Sequence, residues 1–355
     1  MFSSSRSFKE AESVNRLRRN TTRDLVERVW AISPEVVKII NHPIKHVPAI
    51  FNPGMEILDR RLLIFPRIIL GYYLYISAIG RIELSLDQVL GGEAPREIEI
   101  ELIIQPNNQF DIYGCEDPRA QRVEDKLIIT YAGRSREYYP ELYRIDHGQQ
   151  VNPILAIDEG GVFRKRICFR LHDRFVRGFI RDRDAMLLSN DERLFLLHRP
   201  ELIDEPLSLR YSILPELDEL LKHEGFNLFI LEDPRTLLKP ARFEYRVGWA
   251  APPIKLRDGW LTLIHSEGID CIYRVFAALL SADEEVRIEA ITPSYIMEPK
   301  TSYEIFGDRP CVVFPCGAIA VGDDLIISYG AADQVLGIGR IPLNELMAEL
   351  KEVKY

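Results

Sequence analysis

Asp125-Lys-Leu-Ile-Ile-Thr-Tyr131 reads as an acidic turn followed by a short buried strand, and the chain repeats that pattern four more times. The turns fall at Asp59, Asp125, Asp191, Asp258 and Asp324, with successive separations of 66, 66, 67 and 66 residues. The other strands are Arg61-Leu-Leu-Ile-Phe65, Arg193-Leu-Phe-Leu-Leu197, Trp260-Leu-Thr-Leu-Ile264 and Leu325-Ile-Ile-Ser-Tyr329. Branched and aromatic runs bounded by Asp, Gly, Lys or Arg are what strands leaving a hairpin turn look like. A mate precedes each turn, over residues 51–58, 117–123, 183–188, 251–256 and 312–320, which makes five hairpins. Solenoids use shorter repeats with atypical end caps, whereas a unit long enough for about four strands, repeated five times, predicts an all-β fold, a five-bladed β-propeller.

Composition narrows the class. With 46% hydrophobic residues in 355, the chain can bury a large core as one toroidal unit. No window approaches the apolar length of a membrane span, and Met1-Phe-Ser-Ser-Ser-Arg-Ser lacks the apolar centre of a signal peptide. Five cysteines, odd in number and without CxxC spacing, point away from a disulfide framework or a zinc site and toward a reducing cytoplasm. A net charge of −9 disfavours nucleic acid as a partner. Basic residues must therefore act locally.

Ahead of the first hairpin the texture changes. Phe8, Ala11, Val14 and Leu17, then Leu25, Val26, Val29 and Trp30, have helical spacing, and Ser33-Pro34-Glu35 reads as a second helix start. The expected organisation is an N-terminal helical extension over 1–45 and a propeller catalytic domain over 46–355. The amphipathic face of the extension has two readings, a plug over the propeller edge or a contact in a homo-oligomer. Further helices are predicted at 215–223 and 343–351. The long insertion over 206–245 is expected to decorate a binding face.

In a propeller the innermost strands line the axis, so polar residues at equivalent repeat positions converge on one central pocket. The candidates are Asn52, Glu116, Asp117, Arg181, Asp184 and Arg246 near the inner strands, with Arg67, Arg199, His265 and Asp333 at the far ends of their mates. One such charge alone could be a solvated turn or rim residue; the set argues for a site.

Several stretches carry a resemblance. Gly114-Cys-Glu-Asp-Pro-Arg119, Leu197-His-Arg-Pro200, Pro252-Pro-Ile-Lys255, Val313-Phe-Pro-Cys-Gly317 and Tyr329-Gly-Ala-Ala-Asp333 occur in the order found in glycoside hydrolase family 130. This family of β-mannoside phosphorylases and mannosidases is itself built on a five-bladed propeller, and the chain resembles it from about residue 48 to 346. The resemblance implies that Asp117 is the general acid, passing its proton through a sugar hydroxyl. It also implies that Arg181, Arg199, Arg246 and His265, with Tyr273 beside them, bind phosphate. Asn52, Arg67, Glu116, Asp184 and Asp333 would then hold the mannoside. A second Glu-Asp-Pro-Arg, at 232–235, reads as a structural acidic turn.

An inverting hydrolase needs a second carboxylate to activate water, whereas a phosphorolytic enzyme needs cations to place an anion that is already nucleophilic. The basic set therefore points to an inverting β-mannoside phosphorylase. It would use inorganic phosphate as co-substrate, with no cofactor or metal, on a β-mannoside oligosaccharide, giving α-mannose 1-phosphate and the shortened sugar. A hydrolase with Glu267 as base is the alternative, and a non-catalytic carbohydrate-binding propeller comes third. One departure stands out: Asp182 occupies a position where phosphorylases commonly show Asn. It either faces the site and repels phosphate or orients Arg181 or Arg183.

Overall fold

The computed structural model describes residues 11–72, 75–92, 95–135, 150–176, 181–190 and 192–355. Four of the five acidic turns fall within these residues and connect antiparallel strands; Asp191 lies outside them, as do Ser7 and Phe8 of the expected first helix. In the first turn Leu58 pairs with Arg61 across two residues, Asp59 and Arg60, both at positive φ (46° and 62°). That is the two-residue hairpin whose twist matches its strands, and a short polar side chain such as Asp tolerates it.

Five sheets of four to six strands follow one another, each running outward from one inner strand. The inner strands are Ala49–Leu58, Cys115–Val123, Asp182–Ser189, Glu244–Trp249 and Val313–Val321, and we number the blades I to V in that order. Five apolar clusters fill the five seams between successive blades, I with II, II with III, III with IV, IV with V, and V with I. The last of these closes the ring. Each blade contributes at least one large, fully buried ring, among them Phe65, Phe169, Phe195, Phe276 and Tyr329. Burial of each such ring is worth about 1.5–3 kcal/mol. The expected five-bladed propeller is the fold observed.

The N-terminal region departs from its predicted helices. Residues 11–17 are helical. Beyond them Glu27–Ile32 is a strand that pairs antiparallel with Val335–Pro342 as the outermost strand of blade V. Ser33-Pro34-Glu35 begins only a 3₁₀ turn, Pro34–Val36, after which Val37–Ile39 joins the outer edge of blade I. Apolar spacing at 25, 26, 29 and 30 suits a helix, but an open sheet edge offers every backbone group a partner, and that pairing wins.

The 206–245 insertion is also corrected. Most of it supplies outer strands, Leu209–Leu214 and Arg235–Leu238 to blade III, and Asn227–Leu231, in parallel pairing, to blade II, while Leu207 alone of it reaches the central cavity. Its predicted helix is a single turn, Leu217–Leu221. The C-terminal helix spans Leu343–Glu349, after which Lys351–Glu352 pairs with blade IV. No helix among the described residues is long and apolar enough to cross a membrane.

Candidate active site

Three inner strands carry the same local device. Asn52, Asp117 and Asp184 sit at φ 47°, 51° and 56°, each inside a register shift of its strand against the neighbouring one. A bulge turns its side chain away from the sheet alternation. Asn and Asp are the non-glycine residues that best accept a left-handed backbone. Sequence and geometry thus agree on why these three polar groups point toward the axis.

The second strands of blades I, III and IV deliver further groups: Arg67 opposite Phe51, Arg199 opposite Arg183, His265 opposite Gly248. All eleven residues singled out in the sequence line one cavity of about 560 Å³. Tyr75, Arg134, Arg183, Glu201, Leu207, Arg309, Val312 and Phe314 complete it. In a chain of net charge −9, this cavity presents seven arginines against five carboxylates. Of the residues that the sequence reading missed, Arg134 had a signal: it stands nine residues after its turn at Asp125, as Asp333 stands nine after Asp324. Arg309 had none, because it lies in a loop outside the repeat.

Most of the carboxylates are tied to cations. Glu116 accepts from Arg67 (2.5 Å), Arg134 (2.8 Å) and Arg183 (2.7 Å), and these three guanidiniums outweigh burial to hold its pKa down to about 2. Asp184 accepts from Arg119 (3.1 Å), Arg199 (2.5 Å) and His265 (3.1 Å), and Arg199 above all keeps it ionised against the cost of burial. Glu267 is bound by Arg246 (2.5 Å), Arg309 (3.1 Å) and the Tyr273 hydroxyl (3.2 Å) and is not among the residues lining the cavity. Burial drives His265 down to about 4, so at neutral pH it is uncharged and its Nε2–H donates to Asp184. A Cβ on Gly248 would come within 2.2 Å of that Nε2, so glycine is required beneath the pair.

Two carboxyl groups differ. Asp117 uses one oxygen, Oδ1, to accept from both Asn52 (2.8 Å) and Arg67 (3.2 Å), and Oδ2 takes no part in either bond. Asp333, on the cavity wall at φ 52°, is pushed by burial up to about 6, with Arg67 opposing. The Asp182 question has an answer from geometry. It neither faces the cavity nor orients an arginine: fully buried, it bonds His198 Nδ1 (2.7 Å), whose Nε2 meets Ser212 (3.0 Å). The Trp249 and Tyr131 rings are fully buried in the core and do not line the cavity.

The cavity therefore has two sides. Asn52, Arg67, Glu116, Asp117 and Asp333, from blades I, II and V, supply carboxyl and other hydrogen-bonding groups. Arg181, Arg199 and Arg246, from blades III and IV, with Arg309 arriving by a loop, supply cationic N–H donors, and neutral His265 and the Tyr273 hydroxyl stand beside them. Tyr273 is sandwiched there, its ring under the Arg309 guanidinium at 4.6 Å and stacked on His265 at 6.0 Å.

Comparison with known proteins accords with this arrangement. The chain is 25% identical over 256 residues to a 1,2-beta-oligomannan phosphorylase of Thermoanaerobacter sp. (strain X514), covering 71% of this chain and 74% of that protein. It is 26% identical over 261 residues to a beta-1,2-mannobiose phosphorylase of Listeria innocua, covering 70% of this chain and 63% of the other. The solved structure of a Listeria innocua beta-1,2-mannobiose phosphorylase in complex with beta-1,2-mannobiose superposes with a TM-score of 0.69, at 21% identity over 90% of this chain and 96% of that one. The family model described as beta-1,4-mannooligosaccharide phosphorylase matches residues 16–352. With that match running over nearly its whole length, the chain belongs to glycoside hydrolase family 130, a family of glycoside phosphorylases, and is an enzyme.

Proposed function

We propose that the enzyme is an inverting β-mannoside phosphorylase that transfers the terminal mannosyl group of a β-linked mannooligosaccharide to inorganic phosphate. The observation that carries this reading is the state of the carboxylates on the cationic side. Asp184 and Glu267 are each held by three donors, and Glu201, at the rim, pairs with Arg181 at 3.1 Å. None is left to deprotonate a water. The Arg181, Arg199, Arg246 and Arg309 guanidiniums are instead preorganised for an anion by those same acids. Because His265 is neutral, arginine supplies the charge that meets phosphate.

In the forward step a phosphate oxygen attacks the anomeric carbon from the cationic side, the new C1–O bond forms, and the C1–O bond to the leaving sugar breaks on the opposite face. Asp117 gives up the proton that the leaving oxygen gains, relayed by a mannosyl hydroxyl. Asp184 acts here as an anchor for Arg199 and His265 rather than as a mannose ligand. The products are α-mannose 1-phosphate and the shortened sugar.

The names of the relatives put β-1,2-linked mannosides first among substrates to try, with β-1,4-linked ones beside them. The test is incubation with each, with and without phosphate, and identification of the sugar released. α-Mannose 1-phosphate appearing only with phosphate is expected. Free mannose released at the same rate without phosphate would overturn the proposal.

A further inference from the structure

Of the aromatic residues on the cavity wall, Tyr75 is the one that does not pack against His265. Tyr273 and Phe314 pack against His265, with centroid distances of 6.0 and 4.3 Å, whereas Tyr75 comes from the hairpin loop of blade I. Its backbone is at φ 53°, a conformation that a bulky side chain adopts only when its surroundings impose it. Those surroundings are specific. The Tyr75 hydroxyl donates to Asp308, 2.8 and 2.9 Å from the two carboxylate oxygens, and this bond raises its pKa to about 12. Arg134 donates to the Tyr75 carbonyl at 3.1 Å while its guanidinium also binds Glu116 at 2.8 Å. Tyr72 meets the ring edge-on at 5.7 Å. A strained residue is thus held from both sides of the site, by Arg134 next to the acid and by Asp308 next to Arg309.

Displacement with inversion places the nucleophile and the leaving oxygen on opposite faces of the anomeric carbon. With phosphate on the side of blades III and IV, the departing sugar lies on the side of blades I and II, where Tyr75 stands. The partly buried ring, packed against Ala49, Phe51 and Ile69 and locked by its own hydroxyl, offers its remaining apolar surface on the cavity wall to the C–H face of a pyranose. We infer that Tyr75, clamped by Asp308 and Arg134, is the platform on which the leaving sugar rests, and so the residue that sets acceptor preference. The inference rests on the phosphorolysis reading for the side assignment.

The experiment is synthesis from α-mannose 1-phosphate with mannose and with mannobiose as acceptors, set beside phosphorolysis of mannobiose at varied phosphate. Tyr75→Asn keeps a residue that tolerates the left-handed backbone and removes the ring; Tyr75→Phe keeps the ring and removes the tie to Asp308. Tyr75→Asn should raise the acceptor KM about tenfold or more and leave the phosphate KM within about twofold, while Tyr75→Phe should stay within about threefold of wild type for both. An unchanged acceptor KM in Tyr75→Asn, or acceptor and phosphate KM rising together, overturns the assignment. If wild type consumes mannobiose without phosphate, the phosphorolysis reading falls instead. Tyr75 is then judged by the KM for mannobiose, which must rise in Tyr75→Asn for the platform to stand.

Discussion

Glu-Asp-Pro-Arg occurs twice in this chain, at 116–119 and at 232–235, and the two copies have nothing in common but their letters. The first spans a bulge in an inner strand, with all of its charged side chains buried. Its Glu holds three arginines, its Asp turns into the cavity, and its Arg reaches the Ala250 and Trp249 carbonyls of blade IV at 3.1 Å each. The second lies at the crossing between the outer strands of blades II and III, with Glu232 and Asp233 exposed. There Arg235 pairs with its own neighbour Asp233 at 2.8 Å and with Glu285 at 3.0 Å. A motif of four residues acquires chemistry only from the backbone that carries it and the water that is removed around it.

Identical substitutions in both copies would break that contrast if it were false. The largest expected difference is in the acid: Asp117→Asn should lower kcat about 10²- to 10⁴-fold on mannobiose, and Asp233→Asn should leave steady-state rates unchanged. Next comes the arginine. Arg119→Met removes one of the three donors to Asp184 and leaves the Asp117, Trp249 and Ala250 carbonyls without their donor in the ring's interior, and should cost about 3–5 kcal/mol in denaturant unfolding, against at most about 1 kcal/mol for Arg235→Met. The smallest is the glutamate's effect on the acid limb of stability. The native pKa of Glu116, about 2, lies below the ordinary 4.5, so its contribution is complete above pH 4.5 and is lost as pH falls through 2. Glu116→Gln should therefore flatten the loss of Tm over that window, and Glu232→Gln should leave the limb as it is.

The same contrast bears on what can be read from residues alone. The turn period gave away the propeller, because hairpins are local and their chemistry recurs wherever the geometry does. Asn52, Asp117 and Asp184 were legible for a related reason: a left-handed bulge asks for Asn or Asp, and the request repeats. Long-range pairing was not. Glu27–Ile32 finds its partner about 300 residues away, and nothing in its apolar spacing distinguishes that strand from a helix face. The insertion hid its role equally well, since it splits its strands between two blades and pairs one of them in parallel. Arg309 and Tyr75 act from loops, outside any period, and only folding brings them to the cavity that the repeat describes.

Closing the ring with its first described strand also orders assembly in time. At about 5–20 residues per second, Glu27–Ile32 leaves the ribosome some 15–60 s before its partner at 335–342 is made. Until residues 313–342 are made, this outer strand has no blade V to join, and before residues 314 and 333 are made the cavity lacks Phe314 and Asp333. The nascent chain thus carries four-fifths of a binding site and none of its activity. A stalled or truncated product lacking blade V would be an incomplete torus exposing the apolar residues of two unsealed seams.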